Sequence, residues 1–508
     1  MEFRSILYRD PESHEEPPAD GRFLVDLNLD QVIEGIRSDG NGRDLDRALR
    51  TPLASVDAVA YRQEVFRDLE HGEVRARLAA FADSMAAMRQ HLQLAEALDF
   101  RIHRQGWFLH AAHTYCCAVA ELVSDLADLP LESRALRDFR RHVAAYARSD
   151  GFRSLARTTR ALVRDLSAVT YSVYIRGREV EVRVFGGEPD LGTEVQRAFA
   201  PLSHGASRVY VAEASGDIGP SRLKRSIAAC LARLFPRVFA RLDAFCNEHR
   251  EFANDGIIAF DSEVQFYLAY LAYIEPLREQ GLGFCYPEVS ADVKEICNCD
   301  GFDLALAKKL SDEGRVVVPN SFRLEGHERV FVVTGANQGG KTTFARSVGQ
   351  LHYLASIGCP VPGHRARLFL FDRILTHFER EERIGRLRGR MEDDLLRLHR
   401  ILQEATPQSI IIMNEVFTSA TVHDGLILSQ ILMDTIAERD VLGVCVTFID
   451  ELATANDRVV SMVASADPDD PALRTYRIRR RSPQGLAHAA SIAEKHGLTY
   501  ERLKERIQ

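Results

Sequence analysis

Apolar positions along the chain recur with two different periods, and the change between them marks its organisation. From Val74 to Leu92 they fall at Val74, Leu78, Phe81, Met85, Met88 and Leu92. Alternating steps of four and three place them on one seam of a long helix. The seam spans under three heptads, which predicts packing within the chain rather than a separate coiled-coil dimer. A second stripe, Val264, Leu268, Leu271 and Ile274, predicts a helix over 262–277 that Pro276 stops. Between the two, Val169, Tyr171, Val173 and Ile175 alternate with polar residues, Arg176-Gly177 supplies a turn, and Val180, Val182 and Val184 alternate again. That is the pattern of a β-hairpin inserted among helices.

Beyond residue 330 the pattern changes to short unbroken apolar runs, the mark of parallel strands buried on both faces. Val330 to Thr343 reads VFVVTGANQGGKTT: a strand running into a glycine-rich turn, then a helix-compatible ARSVGQLHYLAS. It fits the phosphate-binding loop at every required position. Gly335, Gly339 and Gly340 let the backbone N–H groups approach phosphate oxygens, and the following helix N-terminus favours negative charge. Lys341 would reach the terminal phosphates and the Thr342 hydroxyl would ligate Mg2+. Ser409 to Glu415, SIIIMNE, is a second buried run and delivers Glu415 to a strand's carboxyl end, where it would orient or deprotonate an attacking water. Val441 to Ile449, VLGVCVTFI, predicts a third strand.

Composition narrows the setting. At 508 residues and 46% apolar, the chain can bury a full core and is expected to hold two to four domains. No apolar run reaches about eighteen residues and MEFRSILYRD lacks a signal-peptide apolar region, so no membrane partner and a cytoplasmic location are expected. Nine cysteines lie without metal-ligand spacing; Cys297-Asn298-Cys299 is isolated and Cys116-Cys117 falls in an apolar helical stretch. A net charge of −8 argues against a surface coated for nucleic acid, though not against a local groove. Arg477 to Arg481, RIRRR, alternates with Tyr476 and Ile478 as an edge strand with a charged outer face.

These residues also carry a family resemblance. TGANQGGKTTFARSVGQLHYLASIGCPVPG resembles the ATPase domain of the MutS mismatch-repair family, in which TGPNMGGKST precedes a helix and an IG.YVPA-type loop. Asn337 is the telling position, and Ile357-Gly358 and Val361-Pro362 match behind it. Glu415 to Gly425, EVFTSATVHDG, has the length of the family's EIGRGTSTYDG and ends in the same Asp424-Gly425. Asp372-Arg373-Ile374 resembles the family's DRIFTR segment. Gln484 to Ala487 with Leu498 to Ile507 resembles its C-terminal dimerising helices. The resemblance is strong over Asp303 to Gln508 and visible again at Leu49 to Leu69.

The resemblance implies an α/β P-loop (ABC-like) ATPase domain preceded by a mostly α-helical core and lever domain with a small β-hairpin insertion. The expected layout is an extension over 1–25, core and lever over 26–287 with the hairpin near 169–184, ATPase over 288–481 and a dimerising segment over 482–508. The hairpin is either a small structural one or a remnant of the family's DNA-gripping clamp. The resemblance implies ATP held by Gly335, Ala336, Asn337, Gln338, Gly339, Gly340, Lys341, Thr342 and Thr343. Thr421 would reach the nucleotide of the opposite subunit of a homodimer. It further implies Mg2+ held by Thr342, Asn414 and Glu415, and catalysis by Lys341 and Glu415.

Departures qualify the activity. The family's Asp-Glu pair is here Asn414-Glu415, so one negative charge beside the metal is missing and Mg2+ is expected to bind less firmly. The family's Thr-His pair is Thr447-Phe448, which removes the histidine near the terminal phosphate. With core-like sequence beginning near Asp26, neither a mismatch-reading domain nor a C-terminal nuclease domain is expected. The function expected is a slow ATPase that switches its grip on DNA in mismatch repair or recombination, with other repair proteins as further partners. The competing reading is a nucleotide-dependent protein-interaction switch that has lost DNA binding, which the acidic charge favours. A metabolic phosphotransferase is disfavoured because no acceptor site is apparent.

Overall fold

A computed structural model describes residues 3–9, 21–38, 43–176, 179–186, 220–379, 390–418, 420–466, 474–483 and 504. The Gln484 to Ala487 and Leu498 to Ile507 segments expected to form dimerising helices lie outside the described residues, apart from Lys504. Contacts group the chain into two compact units. One comprises Met1–Phe3, Ala76–Leu129 and Asp138–Asp261; the other comprises Arg4–Arg75, Pro130–Arg137 and Ser262–Gln508.

The first unit is helical. The predicted seam belongs to a helix over Gly72–Glu96, and Val74, Leu78, Phe81, Met85 and Met88 are buried along it. Helices Arg101–Asp128 and Asp150–Ser167 follow, the latter started by Ser149, whose hydroxyl accepts the Phe152 N–H at 3.2 Å. Phe139 and Phe260 stack with centroids 3.5 Å apart, and Phe3 and Phe81 pack edge-on or tilted against that pair. Tyr115 donates to the Tyr146 hydroxyl at 3.0 Å and accepts the Asn254 N–H at 2.9 Å, so this core phenol is satisfied on both sides. The predicted hairpin is present: β1 (Tyr171–Arg176) pairs antiparallel with β2 (Glu179–Val184), Tyr171 opposite Val184 and Val173 opposite Val182.

The second unit carries the parallel-rich sheet. Its strands are β7 (Val330–Gly335), β10 (Ile374–His377), β11 (Ile410–Asn414), β12 (Leu442–Val446), β13 (Val459–Ala466) and β14 (Arg474–Arg480). Their order is β10-β11-β12-β7-β13-β14, all parallel except β14, which runs antiparallel to β13 at the edge. Ile478 turns inward and its neighbours Arg477 and Arg479 turn outward, as the alternation of RIRRR predicts, while Tyr476 and Arg480 are exposed as well. The runs at β7, β11 and β12 are buried almost throughout because helices cover both faces of such a sheet. The remaining strands are β3 (Phe284–Cys285), β4 (Glu288–Ser290), β5 (Ile296–Gly301), β6 (Asn320–Leu324), β8 (Val361–Pro362) and β9 (Arg365–Phe369). They form a β3-β8 pair and a four-stranded sheet ordered β4-β9-β5-β6.

Within this unit the N-terminal segments are tied to the sheet by polar side chains inside the core. Arg62, fully buried, donates to Leu7 O at 3.1 Å and Ile357 O at 2.9 Å and lies 5.1 Å from both the Tyr8 and Phe266 rings. Gln350 donates to Leu27 O and to Asp303 Oδ1 and accepts the Leu304 N–H. These groups satisfy backbone that would otherwise be buried without partners.

One sequence expectation needs correction. Pro276 does not stop its helix, which runs over Asp255–Glu279. Near the C-terminus only one ladder bond is lost to the proline, and the helix ends instead at Gly281, φ 85, where Leu282 N–H reaches Leu277 O and Gly281 N–H reaches Arg278 O. Of the Cys116-Cys117 pair, Cys116 is buried but Cys117 is exposed, because successive helical residues point about 100° apart.

Candidate functional site

The carboxyl ends of β7, β11 and β12 lie side by side, in register from Val330 beside Gly443 and from Ile410 beside Leu442. Chemistry in such a sheet gathers there, because each strand end releases a loop and each following helix presents its N-terminus. β7 ends in the loop and the helix Lys341–Ser356 starts at Gly340. Gly335 has φ 110, and a Cβ there would stand 2.9 Å from Ala464 O, so the turn out of β7 admits only glycine. Gly340 has φ 90 and starts the helix with no side-chain cap. The first helical bond runs from Phe344 N–H to Gly340 O, which leaves the amides of Lys341, Thr342 and Thr343 ahead of the helical ladder. An anion is the natural occupant of such an end.

Lys341 is buried and folds back over its own loop. Its Nζ donates to Gly335 O at 2.8 Å, to Ala336 O at 3.2 Å and to Asn337 Oδ1 at 3.4 Å. The Phe448 ring closes over the ammonium, 4.6 Å from Nζ to centroid. Burial pushes the ammonium below its ordinary pKa; the charges of Glu415 and Asp450 oppose that and Arg474 adds to it. The positive end of the loop is thus incompletely compensated, as a polyanion site should be.

Thr342 Oγ1 donates to Asn414 Oδ1 at 2.8 Å, which brings together two of the residues expected at the metal. Its hydroxyl proton is directed at Asn414, so its lone pairs are left for a cation. Glu415 stands just past β11 with φ 57, its N–H donating to Val446 O at 2.9 Å. A non-glycine residue held in the left-handed region at a strand end is the kind of local strain found at functional sites.

A cavity of about 820 Å³ opens from the loop. Asn337, Gln338, Gly340, Lys341, Thr342, Thr343 and Glu415 line it at one end, with Phe448. Its other wall comes from Leu306, Leu310, the segment Val316 to Val318, Asn320 and Tyr476. The structure therefore gathers the loop residues, Thr342, Asn414 and Glu415 at one place. Gly335, Ala336 and Gly339 shape the loop backbone. Thr421 stands elsewhere: it caps the helix Val422–Glu438, its hydroxyl donating to Asp424 Oδ2 at 2.7 Å and accepting the Asp424 N–H at 3.2 Å, and it does not line the cavity.

Sequence reasoning missed several residues of this site. Tyr476 takes φ 56 on β14, half-exposed against the cavity. Asn320 fixes that part of β14 by donating to Tyr476 O at 3.1 Å and accepting the Ile478 N–H at 2.7 Å. Arg474 Nε donates to Asn337 O at 3.1 Å. The sequence pattern places Tyr476 within the alternation, but β13 and β14 shift register between Ala464 and Ala466, a bulge that the pattern does not announce.

Comparison with known proteins agrees with this geometry. Residues 331–488 match the model of MutS domain V. The chain is 32% identical over 189 residues to the endonuclease MutS2 of Thermus thermophilus, covering 37% of this chain and 25% of that protein. It is 32% identical over 122 residues to the DNA mismatch repair protein MutS of Desulfovibrio desulfuricans, covering 24% and 13%. With the protein of the same name from Caldicellulosiruptor saccharolyticus it is 30% identical over 127 residues, covering 25% and 15%. The chain thus spans a quarter or less of the length of these relatives.

Proposed function

Since the chain belongs to the MutS family through its C-terminal ATPase region, we propose that it is an ATP-binding switch that hydrolyses its nucleotide slowly and changes its grip on DNA as it does so. The observation that carries this reading is the convergence of Lys341, the Thr342–Asn414 pair and Glu415 on one cavity at the sheet's carboxyl edge. Residues 337–343 would hold the phosphates through backbone amides and the Lys341 ammonium, which would exchange its loop carbonyls for phosphate oxygens. Mg2+ would neutralise developing phosphate charge when bound. Thr342 would hold it, with Asn414 and Glu415 beside it. Glu415 would orient or deprotonate water. Asn414 and Phe448 support a slow rate, since the first is neutral beside the metal and the second offers no proton at the terminal phosphate.

In this reading residues 26–287 are the core and lever, 288–481 the ABC-like ATPase and 482–508 the dimerising segment. Two chains would pair so that the Thr421 loop of each meets the other's nucleotide. The exposure of Thr421 and its place outside its own cavity lining support a role in trans. Linkage requires that ATP affinity differ between the two grips on DNA, and that DNA affinity differ with and without ATP.

The second reading, a protein-interaction switch without DNA binding, draws support from the net charge of −8. Equilibrium binding to matched, mismatched, single-stranded and branched DNA, with and without non-hydrolysable ATP at near-physiological salt, separates the two. Nucleotide-dependent DNA affinity is expected. Binding to none of these DNAs in either state would overturn the DNA reading in favour of the second.

A further inference from the structure

Phe448 is a large apolar side chain left half-exposed beside the most polar part of the molecule. It follows Thr447, whose N–H bonds Val333 O at 3.1 Å, so the end of β12 is pinned against β7 and the ring is presented to the loop. There it caps Lys341 at 4.6 Å while the same ammonium is held by three loop acceptors. An ammonium over an aromatic face is attracted by the ring's quadrupole, the more so when burial has stripped it of water. The charges acting on Lys341 from the surrounding elements are Glu415, Asp450 and Arg474. None of the three supplies a face that covers it.

We propose that Phe448 is a positioning residue that competes with the nucleotide's terminal phosphates for Lys341, holding the ammonium retracted until phosphate displaces it. This rests on the ATP-binding reading above and adds to it a residue that sets nucleotide affinity from the protein side. The ring and the phosphates call on the same cation, so whatever holds the ammonium against the ring is subtracted from phosphate affinity. The competition is selective, because only a ligand with phosphates that reach Lys341 meets it. Phe448 also puts hydrocarbon where a hydrogen-bond donor would assist the terminal phosphate, so the same residue weakens binding and leaves hydrolysis unassisted.

The test measures affinities of the full chain for ATP, ADP and AMP in wild type, Phe448→Leu and Phe448→Trp, with thermal melting to check folding. Phe448→Leu keeps an apolar group of similar bulk and removes the π face. It should bind ATP and ADP about 2- to 30-fold more tightly, the fold equivalent of a cation–π contact, with AMP unchanged. Phe448→Trp presents a better face and should shift ATP and ADP the opposite way. Equal shifts for all three nucleotides would mark a merely structural role and overturn the inference, as would variants indistinguishable from a wild type that binds ATP. A wild type that binds no ATP would overturn the ATP-binding reading itself, and this inference with it.

Discussion

Replacing Asn414 by aspartate should convert a weakly metal-dependent site into a strongly metal-dependent one, and the size of the change follows from one distance. Thr342 Oγ1 and Asn414 Oδ1 are 2.8 Å apart. A magnesium ion on the threonine hydroxyl sits about 2.1 Å from it, so it lies no farther than about 4.9 Å from the side-chain oxygen at 414. A full negative charge at that range attracts a divalent cation by about 1.7 kcal/mol even with the dielectric of bulk water, and by about four times as much at an effective dielectric of about 20. Asn414 is buried, so part of the larger figure is offset by the cost of ionising a carboxyl there. The lower figure is about 15-fold in affinity and is a floor for a site more polarisable than hydrocarbon and less than water. The assay is a magnesium titration of ATP binding, with a chelator for the metal-free limit. Asn414→Asp should lower the half-saturating magnesium concentration by at least about 15-fold relative to wild type. A shift under about threefold would mean that residue 414 does not stand beside the metal, and would refute the reasoning.

Three further outcomes are expected. Glu415→Gln should retain ATP binding and lose about 10²- to 10⁴-fold in turnover; turnover indifferent to the change would remove Glu415 from the reaction. Asp440, which accepts from Lys294, Arg329 and Arg458, resists the upward push of burial because hydrogen bonds from Lys294 and Arg329 hold its carboxyl below the usual range. Its contribution is therefore present above the unfolded carboxyl pKa and lost as pH falls through the folded one. With its side chain 40% exposed, solvent screening reduces the effect: Asp440→Asn should cost on the order of 1 kcal/mol near neutrality and flatten the acid limb of a denaturation profile. Glu263, which accepts from Ser5 Oγ and Ile6 N–H at 2.6 Å each, is pushed up to about 7 by burial, against those hydrogen bonds and the charge of Arg62. A raised carboxyl contributes stability below its unfolded pKa and loses it as pH rises through the folded value. Wild type should lose on the order of 3 kcal/mol between pH 4.5 and 7 from this group, and Glu263→Gln should not; parallel profiles would contradict the assignment.

How much of this was legible in the chain depends on how far apart the interacting residues are. The phosphate loop, the buried run ending at Glu415 and the hairpin each write their geometry into consecutive residues: glycines where the backbone bends, unbroken apolar runs where both faces are covered, strict alternation where one is. The helix seam from Val74 is legible for the same reason, since its periodicity is local. Pro276 misled because its effect depends on how much helix remains beyond it, and here Gly281 rather than the proline sets the end. Nothing near Arg62 announces a fully buried guanidinium. Its acceptors are Leu7 O and Ile357 O, so the residue can be understood only once segments 55 and 295 positions away are in place. The same separation hides the grouping of Arg4–Arg75 with the sheet.

The candidate site divides along the same line. The residues expected from the motif come from one contiguous loop and two strand ends, and apart from Thr421 they lie together around one cavity. What controls them comes from elsewhere: Phe448 from the next strand, Asn320 and Tyr476 from the far wall, Arg474 from the edge. Motif positions answer to the chemistry of phosphate, which constrains residue type at fixed spacing. The surrounding positions answer to how long the ammonium stays retracted, how well a cation is held and what closes the cavity, and each can change without disturbing the motif. Asn414 and Phe448 are two such positions at one site, one neutral where a charge would anchor metal and one apolar where a donor would meet phosphate. In the proposed reading both changes would slow the chemistry while leaving the phosphate loop intact, and a chain selected for rapid turnover would have no reason to keep the two together. A switch, whose output is the bound state rather than the product, would.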